Sequence, residues 1–206
     1  MIIGPKYKIA RRLGSPVFEK TQTPKFALRE QQRAQRSRGM GGRRKSQSSY
    51  SLQLTEKQKV RFTYGITEKQ FSNYIKTVIA NKSTNPGQEL FEALEARLDN
   101  IVYRSGLVPT RRAARQAVSH GHITVNGVRT NIPSRKIHSK DIVQIREASK
   151  TKGIFDSLDE RIKETIIPSW LSVDVAKKGI TLRGAPTYVQ HENNFDLSVV
   201  IQFYKR

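Results

Sequence analysis

Apolar residues recur every three to four positions across residues 94–102, a spacing that predicts one apolar face on a helix. Gly106 followed by Pro109 is expected to end this helix. The acidic residues of the segment fall outside the apolar stripe. We therefore expect Asp99 to face solvent, where it orients neighbouring arginines.

The next predicted helix, residues 111–120, has two chemically different sides. Thr110 is its expected N-cap, because a threonine hydroxyl can accept a hydrogen bond from an otherwise unsatisfied backbone amide. At about 100° per residue, small apolar residues fill one arc and polar residues the opposite arc. The polar arc consists of Arg111, Arg112, Arg115 and Ser119. It contains no acid, so its guanidinium groups repel one another unless an external anion binds between them.

Short alternating segments after this helix predict antiparallel strands. Residues 123–125 and 128–132 flank Asn126-Gly127, the pair that most favours a two-residue hairpin turn. Residues 141–145 supply another alternating strand. A basic helix backed by a small sheet makes an α+β module that faces an anion.

Residues 50–81 predict two helices ahead of this module. Gly65 breaks the first, and Thr67 is the expected N-cap of the second, residues 68–80. We interpret the aromatic residues of this segment as core rather than as platforms for stacked bases. The basic residues expected on the outside are Lys57, Lys59, Arg61, Lys69 and Lys76.

After the module, residues 150–161 predict a loop that leads into a short helix. Further strands are predicted at residues 172–175, 180–183 and 187–190. The valines and isoleucine within residues 197–204 predict a buried strand at the end of the chain.

The charge of the chain indicates a polyanionic partner. It has 38 basic and 17 acidic residues, a formal net charge of +21. Structured RNA fits this excess better than an anionic membrane, because the basic helix carries alanines rather than bulky residues opposite its charges. No segment approaches the roughly 20 apolar residues that span a bilayer, so no membrane contact is expected.

About half of this excess lies in residues 1–50, which contain thirteen basic and two acidic residues. Apolar residues are sparse there, so the segment is expected to be largely unfolded alone and to fold on binding RNA. A short basic helix is predicted at residues 26–38.

The sequence indicates neither a cofactor nor a metal. It has no cysteine, which excludes disulfides and thiolate zinc sites. His120 and His122 are the closest pair of histidines and have no third ligand near them in sequence. No pattern typical of catalysis is present, so we do not expect an enzyme.

Three sets of motifs resemble the family of small-subunit ribosomal protein four. The first includes residues 94–100, 110–121 and 125–127. The second is Gly4-Pro5-Lys6-Tyr7-Lys8 with Arg11-Arg12, and the third runs from residue 53 to residue 65. Some members of the family have N-terminal cysteines that bind zinc or an iron–sulfur cluster, and this chain departs from them.

The resemblance implies three parts. Residues 1–49 form a basic extension ordered on RNA, residues 50–92 form a helical domain joined by residues 196–206, and residues 93–195 form the RNA-binding module with its following strands. It also implies a primary rRNA-binding protein of the small ribosomal subunit, which nucleates assembly at a multi-helix junction in the 5′ domain of the rRNA. Ribosomal proteins three and five would be neighbours. Incoming mRNA would pass the Arg43 to Lys45 cluster, where the family contributes to translational accuracy.

The expected RNA-binding residues come from the polar arc, the basic segments and the resemblance. Arginine is favoured among them because its planar fork can bind phosphate with two hydrogen bonds. They are Lys6, Lys8, Arg11, Arg12, Arg43, Arg44, Lys45, Lys57, Lys59, Arg61, Lys69, Arg97, Asn100, Tyr103, Arg104, Arg111, Arg112, Arg115, Ser119, His120 and Arg129.

Two other functions stay open at this stage. Some pseudouridine synthases carry the same module and have an Arg-Leu-Asp catalytic tripeptide, which Arg97-Leu98-Asp99 matches, although here it lies inside the module. A free regulator would bind mRNA or nascent transcripts and be found mainly outside ribosomes. The absence of a transit-like extension before Gly4 favours ribosomes of the bacterial cytoplasm or an organelle-encoded protein.

Overall fold

The computed structural model describes residues 3–39, 48–155, 158–174 and 179–205, and it confirms the α+β class. Unit 1 comprises Met1–Gly87 and Val189–Arg206, and unit 2 comprises Gln88–Tyr188. The described α-helices are α1 (Lys6–Leu13), α2 (Pro24–Gly39), α3 (Ser49–Tyr64), α4 (Glu68–Ala80), α5 (Pro86–Glu95), α6 (Leu98–Arg104), α7 (Arg111–Ser119), α8 (Leu158–Glu164) and α9 (Leu197–Tyr204). The described strands are β1 (Ile123–Val125), β2 (Val128–Thr130), β3 (Ile142–Ile145), β4 (Leu171–Asp174) and β5 (Gly179–Leu182). None of these described helices is both long enough and apolar enough to cross a membrane.

The N-terminal region of unit 1 has a small core of its own. Its buried side chains are Ala10, Leu13, Val17, Phe18 and Phe62. Although apolar residues are sparse in residues 1–50, those of this region form a core because most of them lie in one short stretch that packs against α3. The basic helix predicted at residues 26–38 is confirmed as α2.

The predicted start of α4 is confirmed. The Thr67 hydroxyl accepts a hydrogen bond from the Gln70 amide at 3.3 Å, and the Gln70 side chain accepts one from the Thr67 amide at 3.4 Å. Such a reciprocal pair satisfies two backbone donors at once. Gly65 ends α3 with a φ of 62°, a left-handed conformation that favours glycine. Phe71 is fully buried, as expected of a core aromatic residue.

The strand predicted at residues 197–204 is wrong, because this segment is helix α9. Asp196 caps the helix: its Oδ1 accepts hydrogen bonds from the Ser198 and Val199 amides at 2.8 and 3.3 Å. A short apolar run suits a buried strand or a buried helix equally well, so the pattern alone does not decide between them. Helix α9 packs against α3. Its buried residues are Leu197, Val200 and Ile201.

Unit 2 is built around an antiparallel sheet with the strand order β2-β1-β3-β5-β4. The predicted hairpin turn is confirmed, with φ values of 53° at Asn126 and 78° at Gly127. The register places Thr124 opposite both Arg129 of β2 and Gln144 of β3. Buried residues of the sheet form one core with residues from α6, α7 and α8.

The later strand predictions have mixed outcomes. Strands β4 and β5 confirm two of them with ends shifted by a residue, and α8 confirms the short helix. The strand predicted at residues 187–190 is wrong. The Tyr188 amide donates its hydrogen bond to Oε1 of Gln88 at 2.8 Å instead of to a neighbouring strand.

The first predicted helix of the module is interrupted. Helices α5 and α6 are separated at Arg97, whose ψ of 138° is extended. The amides of the next two residues, Leu98 and Asp99, donate to the carbonyl oxygens of Arg135 and Pro133 at 2.9 and 3.0 Å. These bonds to a distant segment replace the helical bonds that an uninterrupted helix would make.

Candidate nucleic-acid interface

Helix α7 presents arginines on one side and packs into the core of unit 2 with the other. Its buried residues are Ala114, Ala117 and Val118. Thr110 caps it as predicted, because its hydroxyl accepts a hydrogen bond from the Ala113 amide at 3.1 Å. Arg112 is exposed, whereas Arg111 and Arg115 are partly exposed.

Asp99 is buried between two arginines, so the expectation that it faces solvent is wrong. Arg97 donates Nε and Nη2 to its two carboxylate oxygens at 3.0 and 2.8 Å. Arg115 donates Nε and Nη2 to Oδ2 at 2.9 and 2.7 Å. The side chains of Asp99 and Arg97 are 4% and 3% exposed. The expectation that Asp99 orients arginines is confirmed, and the polar arc of α7 does have an acidic partner.

A second buried carboxylate, Glu95, holds Arg104 directly and Arg111 through Asn100. Arg104 donates Nε and Nη2 to its oxygens at 3.0 and 2.9 Å. Asn100 donates Nδ2 to Oε2 at 2.6 Å, and its own Oδ1 accepts a hydrogen bond from Arg111 Nε at 3.0 Å. The Arg111 guanidinium lies 4.4 Å from the centre of the Tyr103 ring, a favourable cation–π position.

We call these two adjoining clusters the arginine network. Its members are Arg97, Arg104, Arg111, Arg115, Glu95, Asp99, Asn100 and Tyr103. Desolvation of buried ions often cancels their mutual attraction, so stability alone does not explain the network. Its two carboxylates fix the orientation of guanidinium groups. Because the network has four arginines and two carboxylates, its formal charge stays positive. Fixed planar donors of this kind suit an anion with a rigid shape.

Sequence reasoning missed Glu95. An uninterrupted helix would place Glu95 and Asp99 together on a polar side, because four residues make about one turn. The break at Arg97 buries both instead. The helix break depends on hydrogen bonds to the backbone of Pro133 and Arg135, so the periodicity of the local sequence does not predict it.

The hairpin brings another basic side chain to the end of α7. Arg129 Nη2 donates to the His120 carbonyl oxygen at 3.4 Å. Gly121 has a φ of +72°, and a Cβ at this position would collide with Arg129 Nε. Ser119 and His120 are exposed. Burial, followed by the electrostatic effect of nearby basic residues, lowers the pKa of His122.

Unit 1 pairs several of its predicted RNA-binding cations with acids. Lys57 Nζ and Arg61 Nη1 donate to the two oxygens of Glu68, each at 2.9 Å. Lys59 pairs with an acid of its own helix at 2.6 Å. Lys57 is buried, because α9 covers it with the Phe203 ring 4.6 Å from Nζ, so its predicted place on the outside is wrong. Lys69 is the exposed member of this group, and Lys76, which was expected only to lie on the outside, is exposed as well.

Helix α1 contributes positive charge to the surface of unit 1. Its exposed basic residues are Lys8, Arg11 and Arg12. Lys6 is partly buried, with Nζ 5.6 Å from the centre of the Phe18 ring. The residues predicted to face mRNA lie outside the described residues: Arg43, Arg44 and Lys45.

The Arg97-Leu98-Asp99 tripeptide does not make a catalytic site in unit 2. A general acid or base must come within hydrogen-bond reach of its substrate. Arginines occupy both carboxylate oxygens of Asp99, and the side chain is 4% exposed. Over the described ranges, no three histidine, aspartate or glutamate side chains are grouped as a metal site requires. Asp99 instead orients the side chains of Arg97 and Arg115.

Known proteins match the chain along almost its whole length. Residues 1–95 match the family described as ribosomal protein S4/S9 N-terminal domain, and residues 96–143 match the S4 domain. Small ribosomal subunit protein uS4 of Corynebacterium kroppenstedtii is 43% identical over 169 residues, which are 82% of this chain and 84% of that protein. The protein of the same name from Acinetobacter baylyi is 39% identical over 204 residues, 99% and 98% of the two chains. That of Corynebacterium ammoniagenes is 38% identical over 211 residues, 98% of each.

Proposed function

The chain belongs to the family of small ribosomal subunit protein uS4, and from this premise we propose that it binds small-subunit rRNA directly through the arginine network. The observation that carries the proposal is the pair of buried carboxylates, Glu95 and Asp99, that fix the arginines. The relatives are named as ribosomal proteins and not as enzymes, in agreement with the expected lack of catalysis.

Folded RNA suits such a surface. A-form helices present phosphates and 2′-hydroxyls across a shallow minor groove, whereas side chains cannot read the deep major groove. Recognition then depends on the positions of phosphates in space. A guanidinium that is already oriented loses less conformational entropy on binding than a mobile one. Arg112, His120 and Arg129, all exposed, would extend the contact along α7 and the hairpin.

The basic residues of helix α1 would make a second contact with RNA. This part of the proposal is supported by the exposure of Lys8, Arg11 and Arg12. Their charges have no acid within the helix to offset them, since α1 contains none. In unit 1, exposed Lys69 would add to this contact, whereas Lys57 and Arg61 serve mainly to hold Glu68.

At a finer level, we propose that the protein binds early in assembly at a multi-helix junction in the 5′ domain of the rRNA. Ribosomal proteins three and five would be its neighbours, and the cluster from Arg43 to Lys45 would face mRNA at the channel through which it enters. A contribution to translational accuracy would follow. The motifs at the N-terminus and after Tyr50 support these points through the family resemblance. Its place would be the ribosome, in the bacterial cytoplasm or in an organelle.

The central experiment compares the affinity of full-length variants for small-subunit rRNA transcribed in vitro, measured by filter binding. We expect Arg115→Ala to bind about tenfold more weakly, because it loses a charge-assisted hydrogen bond to phosphate. Arg183→Ala is the matched control, since Arg183 is an exposed arginine of unit 2 outside the network. It should stay within about twofold of wild type. Unchanged affinity of Arg115→Ala would contradict the proposal.

A sucrose gradient distinguishes the ribosomal role from that of a free regulator. We expect most of the protein in a cell extract to sediment with small subunits. A majority in the ribosome-free fractions would favour a regulator that binds mRNA or nascent transcripts.

A further inference from the structure

Unit 1 contains an aromatic groove that lies outside the arginine network. Tyr7 of α1 and Phe26 of α2 are neighbours, with ring centres 6.0 Å apart and planes inclined at 38°. With Thr23, Lys25 and Arg29 they line a groove of about 290 Å³. Tyr7 is 51% exposed, so part of its ring surface remains open to a ligand.

The groove combines this ring surface with positive charge. Lys25 and Arg29 are one helical turn apart on α2, and Phe26 lies three residues before Arg29, so all three share a side of the helix. Both cations are exposed, and the described lining contains no carboxylate. Arg11, which is also exposed, donates Nε to the Tyr7 carbonyl oxygen at 3.0 Å. An anionic ligand with a flat apolar part fits this combination.

We propose that the groove binds one unpaired nucleobase of the rRNA, stacked on Tyr7, with the adjacent phosphates on Lys25 and Arg29. This inference rests on the proposed rRNA binding and adds a site for a single-stranded nucleotide. Bases displaced from loops and bulges stack on aromatic side chains, whereas the bases of a paired helix are covered by their neighbours. The Thr23 hydroxyl can donate or accept a hydrogen bond at a base edge or a 2′-hydroxyl.

The size of the groove limits the ligand. Pockets for drug-sized molecules have volumes of roughly 300–1,000 Å³, so this groove is at the lower limit and suits a single base. An acidic peptide of a neighbouring protein would also be attracted by Lys25 and Arg29, but its binding would not need the Tyr7 ring. Substitution of the ring therefore separates the two ligands.

The first test measures the affinity of full-length variants for two RNAs, transcribed small-subunit rRNA and a fully paired RNA duplex. We expect Tyr7→Leu to bind the rRNA about fivefold or more weakly, because base stacking on an aromatic ring is lost. Its affinity for the duplex should be that of wild type, and Tyr7→Phe should keep rRNA affinity within about twofold. Tyr50→Leu is the matched control, because Tyr50 is 53% exposed on α3 and does not line the groove.

The second test locates the contact by ultraviolet crosslinking of the wild-type protein to the transcribed rRNA. Cleavage after glutamate releases residues 1–19, with Tyr7 as the only tyrosine, and residues 20–30, with Phe26 as the only aromatic residue. We expect nucleotide adducts on one or both of these side chains, detected by mass spectrometry.

The outcomes separate this site from the proposed function. If Tyr7→Leu bound rRNA as tightly as wild type and neither peptide carried an adduct, the proposed base site would be wrong. The proposed rRNA binding would still stand if Arg115→Ala bound more weakly. If Tyr7→Leu and wild type bound an acidic peptide with equal affinity and also bound rRNA equally well, the groove would be assigned to a protein partner. Failure of the wild-type protein to bind the transcript would overturn both proposals.

Discussion

Asp99 accepts hydrogen bonds from Arg97 and Arg115, and the Arg97 side chain is almost completely buried. A buried cation without its partner keeps the cost of leaving water without the attraction that offsets it. We therefore expect Asp99→Asn to lower the free energy of unfolding of unit 2 by about 3 kcal/mol or more. Urea unfolding monitored by fluorescence of Trp170, the single tryptophan of the chain, measures this change.

The matched control is an acid whose ion pair is open to water. Glu147 forms an ion pair with Lys150 at 2.6 Å, but its side chain is 85% exposed. We expect Glu147→Gln to leave the free energy of unfolding unchanged, because exposed pairs contribute little. If Asp99→Asn and Glu147→Gln had the same stability as wild type, the buried pair would not stabilise unit 2.

At this scale the sequence identifies the arginines of the site but not their partners. Arg111, Arg112 and Arg115 are recognisable because a helix separates them from its alanines by angle alone. The roles of Glu95 and Asp99 depend on a helix break caused by hydrogen bonds to residues more than thirty positions away. No local pattern contains that information.

Among the elements, α3, α4 and α9 meet at one carboxylate, that of Glu68. It accepts hydrogen bonds from Lys57 and Arg61 of α3 at 2.9 Å and from the Tyr204 hydroxyl of α9 at 2.7 Å. Burial raises the pKa of Glu68, but the hydrogen bonds from Tyr204 and Lys57 outweigh it and hold the pKa below its ordinary value of 4.5. The ionised form is thus favoured by folding.

A lowered carboxylate pKa contributes stability above pH 4.5 that is lost as the pH falls through the pKa of the folded state. We expect hydrogen exchange of residues 197–204, corrected for intrinsic rates, to lose protection as the pH falls below this value. Glu68→Gln should have a flatter pH dependence than wild type because its side chain does not titrate.

Glu164→Gln is the control for this prediction, because Glu164 is an exposed acid at the end of α8 in unit 2. It should retain the pH dependence of wild type in residues 197–204. A Glu68→Gln profile identical to that of Glu164→Gln would show that Glu68 does not hold α9.

Elements with local signals were predictable, and elements fixed by distant contacts were not. Helix α7, helix α4 and the hairpin have a cap or turn residue beside a clear period: Thr110, Thr67 and Asn126-Gly127. Helix α9 also has a cap, Asp196, but its apolar run fits a strand equally well. Its packing on α3 was expected only from the family resemblance.

For the whole molecule, the net charge of +21 makes RNA affinity strongly dependent on salt. If roughly 6 to 10 phosphates are neutralised, affinity should fall about a thousandfold or more between 50 and 200 mM salt, because condensed counterions are released on binding. Filter binding to transcribed rRNA across this range gives the slope. A slope near zero would contradict electrostatic binding of RNA.

The same experiment measures how much of the salt dependence comes from the N-terminal basic residues. We expect a variant with glutamine at the four basic residues of the motif between Gly4 and Arg12 to depend less on salt. The slope of log affinity against log salt concentration should fall by up to about one for each phosphate that the variant no longer neutralises. The replaced residues are Lys6, Lys8, Arg11 and Arg12. The control variant removes the same number of charges from exposed residues of unit 2, with glutamine at Lys140, Lys152, Lys163 and Arg183. The composition of the chain is enough to predict a polyanionic partner. The small core that includes residues of α1 was not predictable from composition, because it depends on which of the few apolar residues pack together.

The two buried carboxylates also limit the distance over which the arginine network would attract RNA. They cancel half of the formal charge of the four arginines in the network, so a polyanion farther away than a Debye length of about 8–10 Å is attracted mainly by cations elsewhere on the protein. If the network binds rRNA as proposed, the exposed lysines and arginines would attract any phosphate chain at long range. A misfolded transcript would be rejected only at contact, because its phosphates would not fit the fixed guanidinium planes.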